Sequence, residues 1–109
     1  MVPIFRVADA RAAARWYERW GFDVVGEHRF APDLPLYLFL ERKGVELHLS
    51  EHTGDAPPGT LTYFWVDDVD TVASALDAQV DDQPWGREVE VTDPDGNRLR
   101  VATRHPRPG

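Results

Sequence analysis

Several polar and aromatic side chains of this chain recur at spacings that could do chemistry. Glu46 and His48 alternate with Val45, Leu47 and Leu49, Glu88 and Glu90 alternate with Val89 and Val91, and Arg98 and Arg100 alternate with Leu99 and Val101. A period of two puts the polar set on one face of a strand and the aliphatic set on the other. An imidazole near carboxylates could ligate a metal, while large aromatics such as Tyr63 and Trp65 call for a ligand cleft or an interface. The absence of cysteine removes disulfides, thiolate nucleophiles and cysteine-ligated zinc in one step.

The elements that must position these residues follow from pattern and turn chemistry. Val2 to Val7 is an apolar strand in which Pro3 stands at the start, where a missing N–H is tolerated. Asp9 is an N-cap, and Ala13, Trp16, Tyr17 and Trp20 at helical spacing before Gly21 predict a first helix over 10–20. Phe22 to Phe30 reads as a second strand and Leu36 to Glu41 as a third. Arg42-Lys43-Gly44 is a tight connection, and Val45 to Ser50 is the fourth strand. After a Gly/Pro-rich linker over 51–59, Thr60 to Val66 is a strand, Asp67 or Asp68 can cap, and Val69, Val72, Ala73 and Leu76 form a second helical stripe. Trp85 to Thr92 and Asn97 to Thr103 form a hairpin around Asp93-Pro94-Asp95-Gly96-Asn97, and 104–109 is a frayed tail.

A shift of 59 positions superposes Phe5 on Phe64, Val7 on Val66, Asp9 on Asp68 and Ala14 on Ala73, matching strand to strand and cap to cap. The expected fold is therefore α+β, one domain over 1–109. Two βαβββ repeats, over about 2–50 and 60–103, form a curved mixed sheet with the helices on its outer face. Strand parity then places Phe5, Val7, Leu47, Leu49, Phe64, Val66, Val89, Val91, Leu99 and Val101 under the helices. Ile4, Arg6, Glu46, His48, Leu61, Tyr63, Trp65, Glu88, Glu90, Arg98 and Arg100 fall on the open face. A solvated face with Glu–Arg pairs would explain the charges, but large exposed aromatics call for a partner surface.

Composition narrows the partner. With 19 acids against 12 bases in 109 residues the formal net charge is −7, which opposes binding to phosphate backbones and favours neutral or cationic ligands. A chain near ~100 residues buries only roughly two-thirds of its unfolded surface, so a deep private pocket would compete with the core. Met1-Val2-Pro3-Ile4-Phe5-Arg6 lacks a basic, then apolar leader pattern and no run of 18 apolar residues occurs, so the expectation is a cytoplasmic protein without membrane contact.

Gln83-Pro84-Trp85-Gly86-Arg87-Glu88 followed by Asp93-Pro94-Asp95-Gly96-Asn97 resembles the bleomycin resistance proteins, within the glyoxalase/bleomycin-resistance/dioxygenase (vicinal oxygen chelate) superfamily. The Val2-Pro3 strand, Trp20-Gly21-Phe22 and Trp65-Val66 match as well, so the resemblance spans nearly the whole chain. It implies a homodimer that exchanges N-terminal strands, with Pro3 stiffening the exchanged strand. It also implies a non-catalytic role: bleomycin-like cationic glycopeptides are sequestered unaltered in clefts between subunits. The family's stacking pair falls on Phe30 and Trp85, with Trp65 and Tyr63 on the floor and Glu46, Glu88 and Glu90 as candidates for the cationic end. Enzymes of the superfamily hold a divalent metal at four positions that here are Val2, His48, Leu61 and Arg100. Three cannot ligate, so the resemblance implies no metal and no cofactor, and His48 reads as a hydrogen-bonded member of the open face. The alternatives are a metal-dependent glyoxalase- or dioxygenase-type enzyme, in which His48 with Glu46, Glu88 or Glu90 would have to supply the site, or a binder of another planar natural product.

Overall fold

In the first helix, Ala10, Ala13, Ala14 and Tyr17 recur on one side of α1 (Ala10–Glu18) and are buried, and Asp9 caps it by accepting from Ala12 N–H at 3.1 Å. The computed structural model describes residues 1–29 and 31–106. Around α1 lie β1 (Ile4–Arg6), β2 (Asp23–His28), β3 (Tyr37–Arg42) and β4 (Val45–Ser50). The second half repeats the order as β5 (Leu61–Trp65), α2 (Val69–Leu76), β6 (Asp81–Gln83), β7 (Gly86–Thr92) and β8 (Arg98–Arg104). Each βαβββ module builds its own four-stranded mixed sheet, ordered β1-β4-β3-β2 and β5-β8-β7-β6. The β1–β4 and β5–β8 pairs are parallel and the others antiparallel.

The expected parity is observed. Phe5, Val7, Leu47, Leu49, Phe64, Val89, Val91, Leu99 and Val101 are buried, and the two halves share one core in which the Phe5 and Phe64 rings meet edge-on at 6.5 Å. Polar latches reinforce that junction. The Tyr17 hydroxyl donates to Asp93 Oδ2 at 2.7 Å, and Asn97 Nδ2 donates to the same oxygen and to the Arg6 carbonyl. Buried Arg42 donates through Nη1 and Nη2 to Asp68 at 3.0 and 2.9 Å, and through Nε to the Trp20 carbonyl at 2.6 Å. The molecule measures 53 × 24 × 23 Å with a radius of gyration of 14.7 Å. A sphere-like chain of this length would give about 13 Å, so the modules lie side by side.

Four details depart from sequence expectation. The stretch before Trp85 contains β6, a three-residue strand too short and too acidic to announce itself. Asp68 occupies the α2 N-cap position but makes no capping bond, because its carboxylate is taken by Arg42 and Lys43. Arg42 ends β3, and the turn is the two-residue Lys43-Gly44 loop with φ of 48° and 83°, the left-handed pair that suits strand twist. The tail begins later than residue 104: Arg104 closes β8 and His105 N–H donates to the Trp85 carbonyl at 3.2 Å. Among the described residues no helix is long and apolar enough to cross a membrane.

Candidate functional site

The open face of the second sheet is a grid set by strand register. One row runs Tyr63, Arg100, Glu90 and the next Trp65, Ala102, Glu88, with Arg104 opposite Gly86 beyond them. Ala102 is the small member, and with Trp65 and Glu88 on either side it has no exposed surface. Trp85 Nε1–H donates to the Tyr63 hydroxyl at 2.9 Å, and the Tyr63 and Trp65 rings sit 5.1 Å apart. Tyr63, Trp85, Glu88, Glu90 and Arg100, with Asp81 and Gln83 of β6, line an open cavity of about 460 Å³. Trp65 lies beside Tyr63, outside that lining.

The carboxylates here differ in their availability. Glu90 accepts from Arg98 Nη2 at 3.2 Å and Arg100 Nε at 2.9 Å, and these bonds, Arg100 foremost, hold its carboxyl below the usual range. Its charge is thus spent within the sheet. Glu88 Oε1 is buried with no hydrogen-bond partner. Partial burial first, and then the Glu88 carboxylate through hydrogen bonding, push the Tyr63 phenol upward.

The first sheet carries a second polar cluster. His48 Nδ1 lies 2.7 Å from the Tyr37 hydroxyl and His48 Nε2 lies 3.1 Å from Glu46 Oε1, while Phe39 packs edge-on against the imidazole at 4.6 Å. Tyr37 and Phe39, with His28, His52 and Asp55, line a separate hollow of about 340 Å³. Burial, then Asp55 and Glu46, raise the Tyr37 phenol. Glu41 stands directly opposite Glu46, a like-charge pair that destabilises the hairpin unless something neutralises it.

The predicted residues therefore fall into two groups that the chain does not bring together. Tyr63, Trp65, Trp85, Glu88 and Glu90 cluster on the second sheet, and Glu46 and His48 are bonded to one another on the first. Phe30 lies outside the described residues. Pro3 stands at the head of β1, its carbonyl accepting from His48 N–H at 3.0 Å. Sequence reading missed Tyr37 and Phe39, although their alternation with Leu36, Leu38 and Leu40 was a usable signal, and it missed Arg104 by assigning it to the tail. Arg87 donates to Asp70 on α2 at 2.7 Å.

The four superfamily metal positions do not fit a metal. Both His48 nitrogens are engaged by Tyr37 and Glu46, and Arg100 is paired with Glu90. Register sets Ile4, not Val2, opposite His48 and Tyr63, not Leu61, opposite Arg100, and these neighbours complete no ligand set either. Among the described residues no group of three or more His, Asp or Glu side chains converges as metal ligands would.

A family model described as glyoxalase superfamily protein matches residues 1–107. The chain belongs to the glyoxalase superfamily. Among solved structures, this glyoxalase-superfamily chain is similar to TnmS3, an antibiotic binding protein from Streptomyces sp. CB03234. Identity is 29% and the TM-score 0.75, covering 94% of this chain and 92% of that one. It shares its fold with a bleomycin-binding protein complexed with bleomycin, at 23% identity and TM-score 0.72 over 96% and 98% of the two chains. It also shares it with the fosfomycin resistance protein FosX from Listeria monocytogenes, at 14% identity and TM-score 0.71 over 96% and 92%. No curated protein sequence matches the chain.

Proposed function

We propose that this protein is a non-catalytic binding protein that sequesters a planar, cationic antibiotic of the bleomycin type, at clefts formed between the two subunits of a homodimer. The observation that carries this reading is the aromatic corner of the second sheet. Trp85, 52% exposed, is held by its indole N–H on the Tyr63 hydroxyl beside the unpartnered Glu88 oxygen. Fixed, half-exposed rings offer a flat surface with little entropy left to lose, and a bare buried carboxylate oxygen gains most from a cationic donor. Of the superfamily's metal positions two are aliphatic, Val2 and Leu61, while His48 is bonded to Tyr37 and Glu46 and Arg100 to Glu90, which supports binding without turnover. TnmS3 and the bleomycin-binding protein support the antibiotic as ligand class.

Two further features support a dimeric cleft. The aromatic clusters of the two sheets line separate hollows in one chain, and of the like-charge Glu41–Glu46 pair only Glu46, through His48, has a side-chain partner among the described residues. A two-fold partner would set the first sheet of one subunit against the second sheet of the other, so that Glu46 and His48 complete the wall opposite Trp85. Exchange of β1, stiffened by Pro3, is one way to hold that partner. Titration with bleomycin tests the whole reading. Tryptophan fluorescence is expected to quench and saturate at one drug per subunit, the melting temperature to rise with drug, and the drug to be recovered intact. A flat response at high drug concentration, or a chemically altered product, overturns it.

A further inference from the structure

The Arg104 guanidinium sits 3.8 Å from the centroid of the Trp65 ring, closer than a typical cation–π contact requires. Among the described residues no side-chain carboxylate pairs with it, and the guanidinium lies on the indole face. This placement is built into the backbone. Arg104 is registered against Gly86, and a Cβ on Gly86 would fall 2.4 Å from the Thr103 carbonyl oxygen and 3.2 Å from Arg104 Cα. Only glycine lets β7 approach β8 this closely, and the same contact joins the Trp85 carbonyl to His105 N–H. The Trp85-Gly86 pair thus fixes both the stacking ring and the arginine.

We propose that Arg104 is a specificity-determining residue of the binding site. It occupies the Trp65 face as an internal cation, so the part of a ligand lying there must be electron-rich or anionic, and a ligand's own cation is directed to Glu88 instead. This rests on the reading of the corner as a stacking site and sharpens its ligand class. The ligand is an aromatic plane polarised along its length, positive toward Glu88 and electron-rich toward Arg104. Net charge alone would have suggested a cation anywhere on this face.

Two probes with one ring and opposite charges test this, pyrene-1-sulfonate and pyrene-1-methylammonium, titrated against wild type, Arg104→Ala and Arg104→Glu. Removing one cation from the ring face is expected to lower the sulfonate-to-ammonium affinity ratio about tenfold, and reversing the charge to lower it further. Arg104 is exposed at a strand end, and an unchanged melting temperature of each unliganded variant checks that the fold is kept. An unchanged ratio, or both probes weakened alike, overturns the proposal while leaving the drug-binding reading intact. Bleomycin bound but neither pyrene bound does the same. If neither pyrene nor bleomycin binds wild type, both fall.

Discussion

Single side chains carry most of the chemical argument, and Asp68 shows how one residue can be diverted from its local role. Its position announces a helix cap, yet two cations compete for its carboxylate, and bonds from Arg42, with Lys43 adding, lower its pKa from the ordinary 3.8 to about 2. Because the folded value lies below the unfolded one, the unfolded chain takes up the proton first as pH falls. The stabilisation is complete above 3.8 and is lost as pH drops through about 2. Asp68→Asn is expected to cost about 1–3 kcal/mol at neutral pH, leaving buried Arg42 short of a partner, and to flatten the acid limb of urea-unfolding stability between those two values. Trp85 belongs at the same scale. Trp85→Ala removes the exposed ring without touching the core, so drug affinity is expected to fall on the order of tenfold in calorimetric titration while stability holds. Alternation exposed Glu46, His48, Glu88 and Glu90 as one face, but which carboxylate is free depended on neighbours. Two arginines one strand away neutralise Glu90, and nothing reaches Glu88 Oε1.

Among elements, β7 and β8 show a glycine required by approach, not by a turn. Gly86→Ala would drive a Cβ into the Thr103 carbonyl, and the two strands must part. The expected outcome is a fall in Tm of ~5–15 °C, together with loss of the Trp85 environment in near-ultraviolet dichroism. The helix α1 is tied to the β7–β8 turn by Tyr17, whose phenol is pushed well above its usual range by burial and by the Asp93 carboxylate that accepts its hydrogen bond. Tyr17→Phe leaves that buried oxygen with fewer donors, and chemical denaturation is expected to register about 1–3 kcal/mol. Both helices, the β3–β4 hairpin and the last hairpin were legible because amphipathic spacing and turn residues are local signals. Asp81-Asp82-Gln83 carries no apolar alternation, so β6 forms only because β7 offers a ladder edge, and that edge is a tertiary fact.

For the whole molecule, two modules of 109 residues in all leave each sheet's inner surface open, and a dimer is the proposed means of closing it. Sedimentation equilibrium is expected to report about twice the 12.4 kDa chain mass, and charge reversal at Glu46 to weaken association and drug binding together. The chain's own residues determined the repeat and the inward and outward faces, because period, turn chemistry and residue type act over a few positions. Tertiary structure alone decided the partition of the face. It divided the candidate residues between two sheets, tied His48 to Tyr37 and Glu46, spent Glu90 on arginines, left Glu88 Oε1 without a partner and laid Arg104 on Trp65. Those outcomes turn on which strands become neighbours and in what register, a choice made by burying one shared core and not by any single segment of the sequence.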